Sequence, residues 1–488
     1  MHRLSNASLS LLPKEVERPS YDRARLSTGI VHLGVGAFHR AHQALMTEAV
    51  LASGDLRWGI VAASLRSPDT RDALAPQDGL YAVAVRDGSG TKTSVVGAIQ
   101  RLIVGPLETE ALLRAMCEPS VKIVSLTVTE KGYCHDPATG ALDPNHPDIL
   151  RDLAHPAQPV SAPGYIVEAL SRRRQAGLPP FAVLCCDNLP ANGHTVRRVV
   201  AGLARLRDAA LARHIEDHVA FPSTMVDRIV PATTDADRAS VAATLRLQDA
   251  WPVVAEPFAQ WIVEDNFPQG RPDWTLAGAQ FVREVAPFEL MKLRMLNGAH
   301  SCLAYLGYLA GFVTVSDACS AAPFARYLRD LWAEIMPTIP APPGVDLNKY
   351  ADALLLRFRN TAIRHRLWQI AMDGSQKLPQ RLLGTIKDRL EAGETVRNLM
   401  LGVAGWCRYV AGTDEKNGAI DVRDPEAARL RACLAGFQDR PEDAIRRLLA
   451  CENIFGSALA KNRVFANGLT QEFVGLLKHG ALASISRS

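Results

Sequence analysis

The sequence predicts an α/β Rossmann-type N-terminal domain over residues 1–285, followed by an all-α C-terminal domain over residues 286–488. Three observations favour this division. The apolar run Ile30–Leu33 leads into Gly34-x-Gly36 and a helical pattern, as a dinucleotide-binding βαβ unit begins. Strand and helix patterns alternate up to about residue 285, whereas helical periodicity dominates beyond it. The 488 residues also exceed the roughly 250–300 at which a single core stops growing.

Composition excludes several classes of protein. Hydrophobic residues make up 48% and charged residues 22% of the chain, which is typical of a globular protein. The 55 basic and 51 acidic residues leave a net charge of +4, and no basic block indicates nucleic-acid binding. No apolar run reaches the roughly 18 residues of a membrane span, and residues 1–25 lack a signal-peptide core. We therefore expect a cytoplasmic monomer or weak oligomer that binds neither nucleic acid nor membrane.

The spacing of cysteines and histidines predicts no metal site. The nine cysteines are scattered and odd in number, and no Cys-x-x-Cys occurs, so we expect reduced thiols. His39 and His42 lie close in sequence, but no third ligand is evident near them.

The loop after the first strand is the candidate pyrophosphate site. Its glycines would let the backbone approach a phosphate at a helix N-terminus, where unpaired N–H groups favour anions. His39 occupies the place of the third glycine, so an ordinary tight turn remains an alternative. The candidate cofactor-binding residues of this loop are Gly34, Gly36, Ala37, Phe38, His39 and Arg40.

A second strand, residues 58–64, ends in a loop that would select the cofactor. Asp69 would bind the ribose diol of NAD, although it also suits a plain turn after proline. Arg66 with Ser67 would instead accept the 2′-phosphate of NADP. We favour NAD and keep NADP as the alternative.

Two further strand patterns end in polar residues, at the sheet edge where α/β proteins bind ligands. Glu130 and Lys131 follow a strand over residues 121–128, and a solvated ion pair explains them equally well. Asn188 follows a strand over residues 181–186 and would donate to a substrate oxygen, unless it only begins a turn.

The most unusual stretch opens the second domain, on a helix predicted from about Phe288 to Leu309. At about 100° per residue, the wheel positions are roughly 0° for Lys292, 60° for Glu289, 80° for His300 and 140° for Asn297. One face thus carries an amine, a carboxylate, an imidazole and an amide. Asn297 and Gly298 are both poor helix formers. Residues whose propensity conflicts with the surrounding secondary structure are typical of functional sites. A solvated helix face with a glycine at a close helix contact is the alternative.

One loop of the helical half, residues 373–379, carries Lys377, which would reach an anionic substrate or merely cap a helix. The other helices predicted there are Phe324–Ile335, Leu347–Phe358, His365–Ala371, Leu378–Ala392, Val396–Val410, Glu426–Gly436 and Glu442–Ala450.

Six stretches together resemble the polyol-specific long-chain dehydrogenases, the mannitol dehydrogenase family. They run in the family's order over nearly the whole chain, and the spacing Lys-x4-Asn-x2-His is specific. The stretches are residues 30–42, 125–133, 186–193, 225–231, 256–267 and 292–300.

The resemblance implies a role for each candidate residue, and it implies that no metal takes part. Lys292 resembles the acid/base, which requires a lysine pKa lowered from about 10.4 by burial or a neighbouring cation. Asn188 and Asn297 resemble the amides that bind the reacting oxygen, as in an oxyanion hole. His300 would position the substrate. The remaining roles are the proton path for Glu130 and Glu289, pyrophosphate for residues 34–40, NAD selection for Asp69 and substrate binding for Lys377.

Three residues separate this chain from the mannitol enzymes of the family. Gln369 stands where those enzymes have an arginine, and Lys131 and Arg294 are additional cations. Extra cations would bind the carboxylate of a uronate, as in the fructuronate reductase branch. The resemblance therefore implies NAD-dependent, reversible reduction of D-fructuronate to D-mannonate. A mannitol/fructose dehydrogenase, a non-catalytic dinucleotide-binding sensor and a zinc-dependent alcohol dehydrogenase are the alternatives.

Overall fold

A computed structural model describes residues 2–136 and 139–487, and the chain divides after Ala286 into two compact units. All eleven strands found in the described residues belong to the first unit. They are β1 (Thr28–Leu33), β2 (Gly59–Ser64), β3 (Tyr81–Asp87), β4 (Gly90–Val96), β5 (Ile99–Val104), β6 (Ile123–Leu126), β7 (Ala182–Cys185), β8 (Thr224–Asp227), β9 (Val253–Ala255), β10 (Gln260–Glu264) and β11 (Gln280–Val282).

The central sheet of the first unit is parallel throughout, in the order β5-β2-β1-β6-β7. Counted along the chain this order is 3-2-1-4-5, the doubly wound arrangement whose switch point lies between β1 and β6. Ile30 belongs to the core on one face of the sheet, and Val31 and Leu33 belong to the core on the other. Because both faces are covered, the strands are continuous apolar runs. This sheet confirms the Rossmann-type fold predicted for the N-terminal half.

The described part of the first unit contains nine α-helices. They are α1 (Ala37–Ala41), α2 (Gln43–Ala52), α3 (Asp69–Leu74), α4 (Thr109–Met116), α5 (Pro147–Ala154), α6 (Ala162–Gln175), α7 (Asn192–Arg207), α8 (Ala209–His218) and α9 (Asp235–Leu245). Two small sheets, β11-β10-β8 and β4-β3-β9, complete the unit.

The second unit has helices and no strand among its described residues, so the predicted all-α fold is confirmed. Its helices are α10 (Ala286–Met291), α11 (Gly298–Cys302), α12 (Val315–Ser320), α13 (Ala322–Ile335), α14 (Leu347–Phe358), α15 (Leu367–Ala371), α16 (Gly374–Leu378), α17 (Gly384–Glu391), α18 (Arg397–Val410), α19 (Ala427–Cys433), α20 (Pro441–Leu449), α21 (Glu452–Phe455), α22 (Ser457–Ala460) and α23 (Arg463–Ser486). Three π-helical segments join some of them, Lys292–Asn297, Leu303–Gly307 and Pro379–Leu383.

The helices of the second unit agree with the apolar periodicity where the pattern is amphipathic. Helix α14 begins and ends at the predicted residues, because Asp346 caps its N-terminus and its apolar side chains recur at helical spacing. Helix α23 was not among the predicted helices; it packs on α18 and bends at Gly480, where φ is 76°. None of the helices in the described part of the chain is long and apolar enough to cross a membrane.

Candidate active site

A cavity of about 390 Å³ opens at the carboxyl ends of β1, β2 and β6, on both sides of the switch point. This is the edge at which doubly wound sheets bind their ligands. It is lined by Gly34, Val35, Gly36, Ser64, Leu65, Arg66, Pro106, Thr127, Val128, Thr129, Lys131, Gly132, Asp148, Val160, Ser161 and Ala162.

The two glycines of the first loop differ in what they allow. Gly34 has a φ of +97°, and a Cβ there would lie 2.2 Å from the carbonyl oxygen of Thr127. Only glycine fits, because both the backbone conformation and the neighbouring strand exclude a side chain. Gly36 is exposed, and a Cβ there would meet nothing closer than 3.8 Å within the protein. Its open side faces the cavity and suits the close approach of a phosphate, so the loop fits a dinucleotide.

His39 and Arg40 lie beneath this loop, and the cavity is lined by neither. The His39 ring is buried and stacks on His32 with 3.4 Å between centroids. The buried Arg40 side chain donates to the carbonyl oxygens of Gly36 and Trp251, and burial lowers the pKa of Arg40 to about 10. Both side chains therefore support the loop from below, and contact with the cofactor stays a prediction for them, as for Ala37 and Phe38.

The two candidates for ribose selection lie in different places. Arg66 lines the cavity, whereas Asp69 is exposed in the first turn of α3 and is not part of the lining. The Asp69 carboxylate accepts a hydrogen bond of 2.9 Å from the Ser67 hydroxyl. This hydrogen bond holds the Asp69 carboxylate within the loop, and the ribose binding predicted for Asp69 stays a prediction.

A network of hydrogen bonds connects the tips of β6 and β7. The Asp187 carboxylate accepts the Tyr133 hydroxyl at 2.6 Å and the backbone N–H of Thr129 at 3.1 Å. Burial raises the pKa of Asp187. Thr129 has φ 67° and ψ 162°, a conformation that costs about 1–3 kcal/mol outside glycine and is concentrated at functional sites. This network positions the loops that carry Glu130, Lys131 and Asn188.

Of these three predicted site residues, Lys131 lines the cavity, and Glu130 and Asn188 are exposed. Asn188 follows directly on Asp187, so the network fixes its backbone. Sequence reasoning missed Tyr133 and Asp187 as positioning residues. The available signal for Asp187 was its place at a strand tip.

Asn192, the first residue of α7, also stabilises the carboxyl end of β7. Its buried amide donates to the carbonyl oxygens of Cys185, Asp187 and Thr224 at 2.9–3.2 Å. The side chain thereby replaces the backbone hydrogen bonds that end with the strand.

In the second unit, residues 286–309 form the predicted continuous helix, but two of its segments are π-helical. An α-helix throughout would place Lys292 and Asn297 about 140° apart. The first π segment runs from Lys292 to Asn297, and its i→i+5 hydrogen bonding turns residues five apart towards one face. The predicted wheel was therefore wrong for this pair, and the correction brings amine and amide closer in direction. Such π segments occur frequently at functional sites.

The His300 imidazole is enclosed next to Lys292. Both side chains are 6% exposed. The His300 ring stacks on Phe358 with 4.5 Å between centroids and meets the edge of the His365 ring at 5.4 Å. Burial lowers the pKa of His300 well below its ordinary value, and His365, Arg357, Arg381 and Lys292 lower it further. The ring is therefore neutral near pH 7.

Gly298 has a structural reason to be in this helix. A Cβ there would lie 3.0 Å from the carbonyl oxygen of Arg381, on the neighbouring π segment. The close helix contact considered as an alternative is thus present beside the polar cluster, in which Glu289 and Asn297 are half-buried.

The other two predicted substrate-binding cations of this unit have protein partners. Arg294 pairs with Asp388 at 2.6 Å and donates to the carbonyl oxygen of Thr338 at 3.0 Å. The Lys377 ammonium donates to the carbonyl oxygen of Met372 at 2.5 Å and to that of Ile370 at 3.5 Å. These contacts explain both charges without a substrate, so substrate binding by either residue stays a prediction.

One group of three potential metal ligands occurs within residues 2–136 and 139–487. Atoms of Cys134, His146 and Asp148 lie within 4.8 Å of one another. Nδ1 of His146 already accepts the backbone N–H of Asp148 at 3.2 Å, and burial raises the pKa of the Cys134 thiol to about 12. These features explain the group as the cap of α5 and a protonated thiol.

Comparison with known proteins identifies the family. The mannitol dehydrogenase Rossmann domain matches residues 28–276, and the mannitol dehydrogenase C-terminal domain matches residues 284–477. D-mannonate oxidoreductase of Escherichia coli is 49% identical over 475 residues, which cover 96% of each chain. An uncharacterized oxidoreductase of the same organism, YeiQ, has the same identity and coverage. The structure of Pseudomonas fluorescens mannitol 2-dehydrogenase with NAD and D-mannitol is 38% identical, with a TM-score of 0.89 and 99% of each chain covered.

The fold, the glycine loop and these matches define an NAD-dependent oxidoreductase that acts on CH–OH groups. The chain belongs to the mannitol dehydrogenase family. The predicted family, class of enzyme and cofactor are therefore confirmed. The relatives are named for different substrates, mannonate in one and mannitol in another.

Proposed function

We propose that this enzyme reversibly reduces D-fructuronate to D-mannonate with NADH, using Lys292 as the acid/base and no metal. The observation that carries the proposal is the 49% identity to D-mannonate oxidoreductase over 96% of both chains, against 38% to the mannitol enzyme of known structure. Burial of Lys292 beside His300, on the same helix as Asn297, supports the assignment of the acid/base.

The chemistry follows from the groups on that helix. NADH held at the Gly34–Gly36 loop would supply the hydride for the keto carbon, and the carbonyl oxygen would then need a proton. The Lys292 ammonium donates this proton in the reduction direction, and its amine accepts it in the oxidation direction. Asn297 of the second unit and Asn188 of the first are each proposed as an amide donor to a substrate oxygen, and one such donor is worth about 10²–10³ in rate. His300, neutral in its enclosure, hydrogen-bonds a neighbouring hydroxyl.

The proposal is tested by the initial rate of NADH oxidation with fructuronate, fructose and tagaturonate as substrates. We expect fructuronate to react fastest and NADPH to replace NADH poorly. Lys292→Ala should lower kcat by at least about 10² while NADH still binds, because only the proton transfer is lost. Lys387→Ala is the matched control, because Lys387 is an exposed lysine of α17 that pairs with Glu391 of the same helix.

Each other outcome identifies an alternative. Faster reduction of fructose would make the chain a mannitol-type dehydrogenase, with the same chemistry and a different substrate. Full activity of Lys292→Ala would remove the lysine from the mechanism. Binding of NADH without turnover of any of the three ketoses would favour a dinucleotide-binding sensor, and inactivation by a chelator would favour a zinc-dependent enzyme.

A further inference from the structure

Two thiols face each other where α19 ends and α21 begins. Cys433 is the last residue of α19, and Cys451 directly precedes α21, with α20 between them in the chain. Their sulfur atoms lie 3.9 Å apart, although the two residues are 18 positions apart in sequence. A disulfide has an S–S distance of about 2.0 Å, so each sulfur must move by about 1 Å, which a small rotation about χ1 provides. The pair can therefore close without a change of fold.

Two arginines hold the backbone around this pair. Arg447 of α20 donates to the carbonyl oxygens of Cys433 and Ala435 at 2.8 and 2.6 Å. Arg429 of α19 donates to the side-chain oxygen of Asn453, in α21, at 3.1 Å. The end of α19 is thus bonded both to the helix before Cys451 and to the helix after it, and these contacts keep the two thiols within reach of each other.

The two thiols differ in their access to solvent. Cys451 is 2% exposed, and burial raises the pKa of its thiol. Cys433 is only partly buried, an exposure that it shares with Cys117 alone among the nine cysteines, all of which lie in the described part of the chain. Since the thiolate is the nucleophile in disulfide exchange, a thiol that meets solvent reacts before one that is enclosed. A dissolved reagent therefore reaches Cys433 first, and Cys451 then reacts with the sulfur already bonded there.

We propose that Cys433 and Cys451 are a modification site that reacts with a low-molecular-weight disulfide, such as glutathione disulfide, and closes into an intramolecular disulfide. The Cys433 thiolate attacks one sulfur of glutathione disulfide, whose S–S bond breaks and releases one glutathione. The Cys451 thiolate then attacks the Cys433 sulfur and releases the second glutathione. Two cysteine thiols are oxidised and one glutathione disulfide is reduced to two thiols, which take up the two protons that the cysteines lose.

The disulfide would join α19 to the start of α21 and enclose α20 in a covalent loop. Closing such a loop lowers the entropy of the unfolded chain, so the oxidised protein should unfold at a higher temperature than the reduced protein. Helix α21 packs on α16, which carries Lys377, and on the π segment Pro379–Leu383. The modification thus stabilises the surroundings of a predicted substrate residue, and it does not depend on which ketose is reduced.

The experiment begins with the folded, full-length protein and glutathione disulfide. Free thiols are then blocked with N-ethylmaleimide as the protein is unfolded, and a tryptic digest is analysed by mass spectrometry without reductant. Trypsin separates the two cysteines into the peptides 432–446 and 448–461. We expect these peptides to be joined by a disulfide, with two hydrogens fewer than their sum, and to separate with dithiothreitol. The unfolding temperature should rise by about 5 °C on oxidation and return with dithiothreitol.

Three variants test the pair. Cys433→Ser should form no disulfide and show no rise in unfolding temperature. Cys451→Ala keeps the partly exposed thiol and should stop at a glutathione adduct on Cys433. Cys117→Ser is the matched control, because Cys117 is the other partly exposed thiol and lies in the first unit, so this variant should react as the wild type does.

Three results would overturn the assignment of Cys433 and Cys451. One is a stable glutathione adduct on Cys433 in the wild type with the Cys451 thiol still free. Another is no reaction at either cysteine. The third is an equal rise in unfolding temperature in Cys433→Ser, because the stabilisation would then come from another thiol. If one of the two variants of the pair does not fold, the other carries the same comparison.

Discussion

The hydroxyl of Tyr133 donates a hydrogen bond of 2.6 Å to Oδ2 of Asp187, and the same oxygen accepts the backbone N–H of Thr129 at 3.1 Å. The tip of β6 is thereby tied to the tip of β7. Because Asn188 follows Asp187 directly, this tie determines where the predicted amide donor stands. A shift of about 1 Å in such a group costs up to about 10² in rate.

Removal of the Tyr133 hydroxyl should therefore weaken both stability and catalysis. Tyr133→Phe removes a hydrogen bond to a carboxylate and should lower the free energy of unfolding by about 1.5–3 kcal/mol. We also expect kcat to fall several-fold with KM for NADH unchanged, because Asn188 loses its fixed position. Urea unfolding and steady-state kinetics measure the two effects.

The matched control is Tyr165→Phe in the same unit, since Tyr165 donates to the neutral hydroxyl of Thr109 at 3.3 Å. This variant should lose about 0.5–1.5 kcal/mol and retain kcat. Equal losses in the two variants, with kcat unaffected in both, would show that the link between the strand tips has no part in catalysis.

The ion pair between Arg294 and Asp388 makes a second prediction. It holds the π segment of Lys292 to α17, with Arg294 10% exposed and Asp388 45% exposed at their side chains. Arg294→Gln should lower the free energy of unfolding by about 1.5–3 kcal/mol, because a charged hydrogen bond is lost. It should also lower kcat/KM for fructuronate and fructose by the same factor, because the pair with Asp388 holds the helix whichever substrate is bound.

A double-mutant cycle with Asp388→Asn measures the pair. Its coupling free energy should be about 0.5–3 kcal/mol, as for residues in direct contact. A selective rise in KM for fructuronate in Arg294→Gln, with KM for fructose unchanged, would instead support Arg294 as a substrate ligand.

The parts of this structure that follow from local sequence were predictable. The loop after β1 could be read because Gly34 and Gly36 stand directly between a strand pattern and a helix pattern. Helix α14 could be read to its ends because a cap and an apolar period coincide. The sequence predicted which polar residues this helix carries, but it did not predict the angles between them. A polarity pattern does not encode the change from i→i+4 to i→i+5 hydrogen bonding.

Contacts between distant residues were not predictable from the sequence. Asp187 and Tyr133 are 54 residues apart, and the enclosure of His300 by Phe358 and His365 depends on how three helices pack. The partners of Arg294 and Lys377 likewise appear only in three dimensions. A cation that looks available in the sequence was in both cases already bonded within the protein.

The two glycines of the cofactor loop should respond differently to alanine. Gly34→Ala places a Cβ 2.2 Å from the carbonyl oxygen of Thr127 in a left-handed conformation, so the loop must move. We expect a loss of at least about 2 kcal/mol in the free energy of unfolding, together with loss of NADH binding. Gly36→Ala meets nothing within 3.8 Å in the protein and should fold normally.

For both glycine variants, NADH affinity is measured by fluorescence titration and stability by thermal unfolding. Gly36→Ala should keep its unfolding temperature and lose NADH affinity by at least about tenfold, because its methyl group occupies the space of the phosphate. Wild-type affinity in Gly36→Ala would place the pyrophosphate elsewhere in the cavity.

Buried neutral histidines should make the protein sensitive to acid. Burial lowers the pKa of His32 to about 3 and that of His365 to about 4. The unfolded chain holds these groups near 6.5, so it binds more protons than the folded chain between about pH 6.5 and 4. Their contribution to stability is therefore complete above pH 6.5 and is lost as the pH falls. Glu48 acts in the opposite direction, because burial raises its pKa to about 7 and its contribution is lost as the pH rises towards that value.

Urea unfolding of the wild type and of His32→Asn at pH 7.5 and pH 5 measures the contribution of His32 to this pH dependence. His32 alone should remove about 2 kcal/mol of stability between the two pH values, since its folded and unfolded pKa values lie on either side of pH 5. The His32→Asn variant lacks this titration. Its free energy of unfolding should therefore change between pH 7.5 and pH 5 by about 2 kcal/mol less than that of the wild type. His155→Asn, at an exposed histidine of the same unit, should keep the wild-type pH dependence. An unchanged difference in His32→Asn would mean that the His32 imidazole accepts a proton in the folded state, where it hydrogen-bonds Ser125 and Thr127 at 2.8 and 2.9 Å.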